Sequence, residues 1–225
     1  MNKIHPTVII EGDVEFGDYN EILPYSVLIG PLVVGDSNWI GPSVVIGTPG
    51  EDTKNPRYDS TNMPIHIGSH NIIREHVAIQ KPCYESVTKI GDYNFLMHGS
   101  HVPHDAILWD KVTLAPNVVI GGICKLLTGC NIGMGACLHQ YSVVGHYSII
   151  ATNAAAIKNV KPFSRFISNK PISVNTYAIK KFGFEAYEEE ISAYVLDNKA
   201  PSSAQICDLV NEFEKLHSES GRGLY

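Results

Sequence analysis

Residues 90–126 read IGDYNFLMHGSHVPHDAILWDKVTLAPNVVIGGICKL, with an aliphatic side chain at every sixth position. This register runs without a slip to Ala156, and an earlier one runs from Ile10 to Ile46. A helix repeats at about 3.6 residues and a strand at about 2.0, so neither accounts for a period of six. Six residues make one short strand plus a turn, and three such units close a triangular coil. The pattern predicts a mainly β fold, a left-handed parallel β-helix of hexapeptide repeats.

Two segments leave the register, residues 48–64 and 80–88, and a short register of Ile67, Ile73 and Ile79 lies between them. Inserted loops on a rigid solenoid often carry function, so we expect these segments to contribute to a site. A conventional β-sandwich with regularly spaced strands is the structural alternative, although its turns would not keep a fixed register.

Glycine often follows the aliphatic residue of a hexad. Because glycine adopts positive φ without a steric penalty, we expect it to relieve the turns where such a conformation is required. The glycines concerned are Gly17, Gly35, Gly41, Gly47, Gly68, Gly91, Gly121, Gly133 and Gly145.

The end of the chain has a different pattern. After residue 157 the hexads stop, and apolar residues recur at helical spacing in Asn175–Phe182, Glu185–Leu196 and Ser202–His217. We therefore expect a β-helix over residues 1–160, carrying the two loop insertions. A connection and a C-terminal helical region are expected over residues 161–225.

Composition narrows the class of protein. The chain has 225 residues, 44% of them hydrophobic, and a formal net charge of -6. A mildly acidic chain has no general attraction for nucleic acid or for an anionic membrane. No apolar run is long enough to cross a bilayer, and the first residues lack the apolar stretch of a signal peptide. We expect a soluble, cytoplasmic protein without a transmembrane segment.

The five cysteines predict neither disulfides nor a thiolate zinc cluster. Their number is odd, and no Cys-x-x-Cys pair occurs. We expect them to be small, buried apolar side chains.

The segment from His98 to Asp105 is the richest in chemical groups. His104 has an imidazole that can serve as a general base near neutral pH, and the adjacent Asp105 can orient it. Gly122 and Gln140 follow at intervals of 18 residues, which places them one and two coils further along the same corner, with coils about 4.8 Å apart. A base, an exposed backbone N–H and an amide in one column suggest a site for attack on a thioester, with Gly122 as the oxyanion donor.

Two other classes of protein remain open from the residues alone. His98, His101, His104 and His139 supply enough candidate ligands for a zinc lyase of the carbonic anhydrase type, since a catalytic zinc needs three converging ligands. A non-catalytic β-helix scaffold is the second alternative. No residue pattern assigns a metal site, and the zinc lyase leaves Gly122 without a role.

Several motifs carry a family resemblance over most of the chain. They are His5-Pro6-Thr7, Ile46-Gly47 leading into Glu51-Asp52-Thr53-Lys54, Asn71-Ile72-Ile73-Arg74-Glu75, Asn94-Phe95-Leu96-Met97, His101-Val102-Pro103-His104-Asp105, His139-Gln140-Tyr141, and Val174-Asn175 to Lys181-Phe182-Gly183-Phe184. With these motifs the sequence resembles the bacterial UDP-N-acetylglucosamine acyltransferases of lipid A synthesis. The His-x-x-His-Asp and His-Gln motifs are specific when they occur together in this repeat.

The resemblance implies a homotrimer with active sites in the clefts between subunits. It implies transfer of a hydroxyacyl group from an acyl carrier protein thioester to the sugar of a UDP-sugar, with no permanently bound cofactor. His104 matches the general base, Asp105 its partner, and Gly122 the backbone oxyanion donor. The positions that match substrate contacts are Asp52, Lys54, His101, His139, Gln140, Asn175 and Lys181.

The chain departs from the family pattern at several places, among them Lys181-Phe182, where the family has paired arginines. Gln80 and Ile123 stand where the family usually has histidines, and Ala151 and Thr152 stand near the end of the acyl groove where it often has glycines. Bulkier residues on the groove floor would shorten the acyl chain that fits. The departures keep a second interpretation open, N-acylation of a UDP- or dTDP-linked amino sugar of a surface polysaccharide, with acyl-coenzyme A or a short acyl carrier as donor.

Overall fold

The structure is a computed structural model that describes residues 1–53 and 62–225. Its strands are short, as expected of hexads. In chain order they are β1 Lys3–Ile4, β2 Ile9–Glu11, β3 Val14–Phe16, β4 Glu21–Ile22, β5 Val27–Ile29, β6 Leu32–Val34, β7 Trp39–Ile40, β8 Val45–Thr48, β9 Ile65–Ile67, β10 Ile72–Ile73, β11 Ala78–Gln80, β12 Thr88–Ile90, β13 Phe95–Leu96, β14 His101–Val102, β15 Ile107–Leu108, β16 Thr113–Leu114, β17 Val119–Ile120, β18 Lys125–Leu126, β19 Asn131–Ile132, β20 Cys137–Leu138, β21 Val143–Val144, β22 Ile149–Ile150, β23 Ala155–Ala156, β24 Ser164–Phe166 and β25 Ser173–Val174.

Successive strands belong to three different sheets. The first sheet has the order β1-β4-β7-β10-β13-β16-β19-β22-β24-β25, the second β2-β5-β8-β11-β14-β17-β20-β23, and the third β3-β6-β9-β12-β15-β18-β21. The strands of the coils pair in parallel; β24 with β25 is antiparallel. The chain therefore winds through the three sheets in turn, so the predicted parallel β-helix is confirmed and the β-sandwich alternative is wrong.

The aliphatic positions of the hexads form the core. Leu96, Val102 and Leu114 have no exposed surface, and almost every other position in the three registers is equally buried. The exceptions are the first two, Ile10, which is 42% exposed, and Phe16, which is half-buried. They belong to the first coil, which has no coil beneath it, because a solenoid repeat buries its apolar face only against its neighbours.

The expected reason for most of the glycines is wrong. Of the glycines that follow an aliphatic residue, only Gly47 has a positive φ. At Gly121 a side chain would instead collide with the backbone of Gln140, on the next coil, and at Gly133 with that of Thr152. The turn residue with positive φ is generally not glycine; Asp105 is an example, with a φ of 62°. Glycine therefore permits close stacking of the coils.

Both insertions leave the helix at one corner, the turn between the second and third sheets. The first follows β8 and the second follows β11, and the next turn on this corner follows β14 and contains His104. Gln80 and Lys81 at the start of the second insertion are buried, and Lys81 Nζ donates to the Gly30 carbonyl at 2.6 Å. The second insertion and the described start of the first therefore lie on the corner that holds the predicted base.

The helices at the C-terminal end are α1 Thr176–Phe182, α2 Glu188–Asp197 and α3 Ala204–Ser220, with a 3₁₀ turn at Glu185–Tyr187. They agree closely with the three predicted segments. Phe163 at the end of the β-helix packs into a cluster with Ile179 of α1 and Ile191 of α2. None of the helices described is long and apolar enough to traverse a lipid bilayer.

The five cysteines all lie in the described part of the chain and carry free thiols. Cys83, Cys124 and Cys130 are buried, as expected of small apolar side chains. Cys207 is only half-buried. Cys137 is exposed, so that expectation is wrong for it. Its position in the hexad precedes the inward residue Leu138, and in a strand successive side chains point to opposite faces.

Candidate active site

His104, Gly122 and Gln140 lie one above another at the corner between the second and third sheets, in the turns after β14, β17 and β20. Backbone hydrogen bonds join these turns: Ile123 N–H donates to the His104 carbonyl at 3.1 Å, and Tyr141 N–H to the Gly122 carbonyl at 2.9 Å. The 18-residue spacing thus places the three predicted residues in one column.

His104 and Asp105 form a close pair. His104 Nδ1 lies 2.6 Å from Asp105 Oδ2, and the Asp105 side chain has no exposed surface. Because a carboxylate only accepts, His104 Nδ1–H is the donor, and Nε2 is the unprotonated nitrogen of the neutral ring. A free Nε2 is the atom that a general base needs.

Asp105 is itself held by the second insertion. Its Oδ1 accepts from the backbone N–H groups of Cys83, Tyr84 and Glu85 at 2.9, 3.1 and 2.9 Å. Burial raises the pKa of Asp105, but the hydrogen bonds from His104 and from the three backbone groups outweigh it and hold the pKa below its usual value. Asp105 is therefore an anion at neutral pH.

The imidazole ring of His104 leaves no room for a side chain at position 122. A β-carbon added at Gly122 would lie 2.5 Å from His104 Nε2 and 3.1 Å from Nδ1, closer than side-chain carbons approach other atoms. The ring therefore lies directly against the Gly122 backbone. Base and backbone donor thus share one small volume, as attack on a carbonyl would need.

An open groove of about 560 Å³ runs along this corner and contains five of the predicted residues, which are His101, His104, Gly122, His139 and Gln140. A smaller cavity of about 290 Å³ adjoins it, and Glu51, His104 and Gln140 line both. Burial lowers the pKa of His101, so this ring is neutral at pH 7. A second base-like group thus faces the groove without a charge.

The smaller cavity brings in Asp52 and a residue that the sequence did not suggest, Tyr84. The Tyr84 hydroxyl donates to the Asp52 carboxylate, and its ring meets the His104 ring edge-on with centroids 5.9 Å apart. The hydrogen bond to Asp52, together with burial, raises the pKa of Tyr84 to about 12. Tyr84 lies within the second insertion, where no register marks any position.

Arg222 is the second residue that sequence reasoning missed. Its Nε donates to the Gln140 carbonyl at 2.9 Å, and its Nη2 lies 2.6 Å from His139 Nδ1. These partners are more than 80 positions away in sequence, and no spacing links them. The C-terminal tail thus places a cation against two residues that line the groove.

Four predicted residues lie elsewhere in the chain. Asn175 caps α1, with its Nδ2 donating to the Tyr147 carbonyl at 2.8 Å, and Lys181 lies near the other end of α1. Ala151 and Thr152 occupy a turn after β22, at the corner between the first and second sheets. Neither cavity, as lined by described residues, includes any of the four.

Lys54, the remaining predicted substrate contact, lies outside the described residues.

The structure does not gather the four histidines of the zinc hypothesis. Within residues 1–53 and 62–225, the only group of three candidate ligands is Cys83, His104 and Asp105, whose ligand atoms lie within 4.8 Å of one another. Asp105 is already engaged by four donors, and burial raises the pKa of Cys83 to about 11, which keeps it a thiol. Because the Asp105 oxygens are already paired with His104 Nδ1 and with backbone donors, this group fits a hydrogen-bonded base better than a zinc centre.

Two relatives of this chain carry the same description. No protein-family model matches it. The acyl-(acyl-carrier-protein)–UDP-N-acetylglucosamine O-acyltransferase of Herminiimonas arsenicoxydans is 30% identical over 216 residues, which cover 86% of this chain and 80% of that protein. The chain belongs to this acyltransferase family. The protein of the same description from Gloeothece citriformis is 32% identical over 169 residues, which cover 74% of this chain but only 59% of the relative.

Solved structures of the family share the fold. The UDP-N-acetylglucosamine acyltransferase of Bacteroides fragilis has a TM-score of 0.81 at 24% identity, covering 100% of this chain and 98% of the other. The enzyme of Campylobacter jejuni has a TM-score of 0.83 at 22% identity, covering 99% and 98%. The predicted family and the predicted left-handed β-helix are both confirmed.

Proposed function

We propose that this protein transfers an acyl group from an acyl carrier protein thioester to a hydroxyl group of UDP-N-acetylglucosamine. The observation that carries the proposal is the pair formed by His104 and Asp105, whose imidazole lies against the Gly122 backbone in an open groove. Relatives at up to 32% identity bear this activity in their names.

The arrangement suits direct transfer. The sugar hydroxyl gives its proton to His104 Nε2 as its oxygen attacks the thioester carbonyl carbon, and the Gly122 N–H stabilises the tetrahedral oxyanion. The C–S bond then breaks, and the proton on Nε2 passes to the departing thiolate. Asp105 stabilises the imidazolium formed between these steps. Cys83, the nearest thiol, keeps its proton because its pKa is raised, so no covalent enzyme intermediate is required.

We also propose that the protein is a homotrimer in which a neighbouring subunit completes each site. Asn175 and Lys181 match nucleotide-binding positions of the family, yet they do not line the cavities of their own chain. If α1 faces the groove of a neighbour, both residues can contact the nucleotide there. Ala151 and Thr152, at the other edge of the second sheet, are then proposed to limit the length of the acyl chain.

Substitution of His104 by alanine tests the catalytic proposal. The assay is thioester consumption with hydroxyacyl-carrier protein and UDP-N-acetylglucosamine, and the expected loss of kcat is roughly 10²- to 10⁴-fold because the proton acceptor is removed. His66→Ala is the matched control, since this exposed histidine lies on the third sheet, and we expect it to leave kcat unchanged. Residual activity of His104→Ala above about a tenth of wild type would reject His104 as the base.

The same assay separates the alternatives. Turnover only with a UDP- or dTDP-linked amino sugar, or only with acyl-coenzyme A, would favour the N-acyltransferase interpretation. One tightly bound zinc per subunit with no thioester-dependent activity would favour the lyase, and a protein inactive with every donor and acceptor would be the scaffold. Gln80 and Ile123, where the family usually has histidines, are the positions that make this panel necessary.

A further inference from the structure

The C-terminal tail, residues 221–225, is docked firmly on the last coil of the β-helix. Asn159, which has no exposed surface, donates its N–H to the Gly223 carbonyl at 2.8 Å and accepts from Tyr225 N–H at 3.1 Å. The Tyr225 hydroxyl accepts from Ile157 N–H at 2.9 Å, and its ring lies 4.3 Å from that of Phe166. The residues that follow Arg222 are therefore held against the β-helix.

Arg222 uses this position to contact two residues of the groove. It donates to the Gln140 carbonyl through Nε and to His139 Nδ1 through Nη2. Because Nδ1 accepts, His139 is neutral and carries its proton on Nε2. The guanidinium has five N–H groups, so donors remain beyond the two that are used. A cation thus lies directly behind His139 and Gln140, two residues that line the groove.

A second cation, Lys158, lies beside the tail. Its Nζ lies 5.6 Å from the Tyr225 ring centroid. Glu51 lines both the groove and the adjoining cavity, and its N–H donates to Gln80 Oε1 at 3.3 Å. Three coils separate Gln80 from His139 along the second sheet, which is roughly 14 Å at strand spacing.

We propose that Arg222 and His139 bind a phosphate ester of a substrate. Arginine matches phosphate oxygens with two parallel hydrogen bonds, which suits a dianion. This inference rests on the proposed function, because the two substrates of that reaction both carry such a group. One source is the phosphate of the donor's phosphopantetheine arm, and the other is the diphosphate of the nucleotide sugar.

Paired ligands that differ only in phosphate test the inference by equilibrium binding. They are 4′-phosphopantetheine against pantetheine, and UDP against uridine, each titrated into wild type, Arg222→Gln and Arg222→Lys. We expect Arg222→Gln to weaken one phosphorylated ligand roughly 10- to 100-fold and its phosphate-free partner little, with Arg222→Lys intermediate. The affected pair identifies the source. Lys215→Gln, an exposed cation on α3, is the matched control and should change neither ratio.

Three results would overturn the inference. They are wild-type protein with no preference for either phosphorylated ligand, an unchanged preference in Arg222→Gln, and an equal loss for both members of a pair. The last result would mean that Arg222 only holds the tail in place. These binding ratios are independent of turnover, whereas the proposed function fails when wild type consumes no thioester, so the two failures are distinguishable.

Discussion

Replacement of Asp105 by asparagine should leave the protein folded and nearly inactive. Oδ1 of Asp105 accepts three backbone N–H groups of the second insertion, and the amide oxygen of asparagine can take that place. The NH₂ group then occupies the position of Oδ2, 2.6 Å from His104 Nδ1. It donates to Nδ1, so the ring proton moves to Nε2, the nitrogen that must accept the sugar proton.

The size of the effect follows from this change of tautomer. A comparable exchange in a Ser-His-Asp triad leaves the geometry intact and lowers kcat about 10⁴-fold. We expect a loss of the same order here, about 5 kcal/mol of transition-state stabilisation, with little change in the KM of the nucleotide sugar. Stability should fall by only about 1–3 kcal/mol, because the hydrogen bonds to a charged acceptor become neutral ones.

Thioester consumption under single-turnover conditions measures the chemical step, and nitrogen NMR of the imidazole reports which nitrogen carries the proton. Asp110→Asn is the matched control, because Asp110 also accepts a backbone N–H, that of Asp92 at 2.8 Å, but on another corner. An Asp105→Asn variant with more than about a tenth of wild-type kcat would refute the orienting role of the carboxylate. So would a His104 ring that keeps its proton on Nδ1.

Two further predictions concern single positions. Gly122→Ala should displace the His104 ring by about 1 Å and lower kcat roughly 100-fold. The same assay measures kcat, and an unchanged melting temperature would show that the variant is folded. Full activity would contradict the close contact between the ring and Gly122. Burial lowers the pKa of His146 to about 4, since the carboxylate of Glu212, 3.2 Å away, is 42% exposed and too well solvated to offset it. The unfolded state takes up that proton first, near pH 6.5, so stability present above this pH is lost as pH falls toward 4. In urea unfolding, His146 should lower the free energy of unfolding by about 2 kcal/mol at pH 5 relative to pH 7. His146→Leu should remove this contribution. A variant with the same pH dependence as wild type would contradict the prediction.

The hexad register determines most of the fold because each coil repeats the same packing problem. Leu96 and Leu114 can be assigned to the core from sequence, since a residue that stacks on its equivalent 18 positions later must be apolar. The predictions from sequence fail at positions where a coil has no neighbouring coil or contacts a different kind of neighbour. Ile10 fits the register but faces an open end. Gly121 follows the register, but its role depends on the backbone of the coil above, which one hexad alone does not specify.

The column in the candidate site was predictable for the same reason. Gly122 and Gln140 follow His104 at whole multiples of a coil, so their relative heights are fixed once the repeat is recognised. Tyr84 and Arg222 could not be predicted in this way. Tyr84 contacts His104 from an insertion, and Arg222 contacts Gln140 from the C-terminal tail. Only tertiary contacts place these segments, and neither has a periodicity that could have indicated them.

The contact between His104 and Asp105 depends on a feature that the register alone does not reveal. In a strand, successive side chains point to opposite faces, so sequence neighbours would diverge. Asp105 instead has a φ of 62°, and its coil equivalents Ile123 and Tyr141 have φ values of 64° and 65°. This left-handed turn brings the side chains of adjacent residues together. An isoleucine in that conformation is disfavoured by roughly 1–2 kcal/mol, yet Ile123 adopts it, so the stacked coils impose the turn whatever residue occupies it. The repeat therefore supplies the backbone geometry of the pair, and the sequence has only to place histidine and aspartate at consecutive positions on one coil.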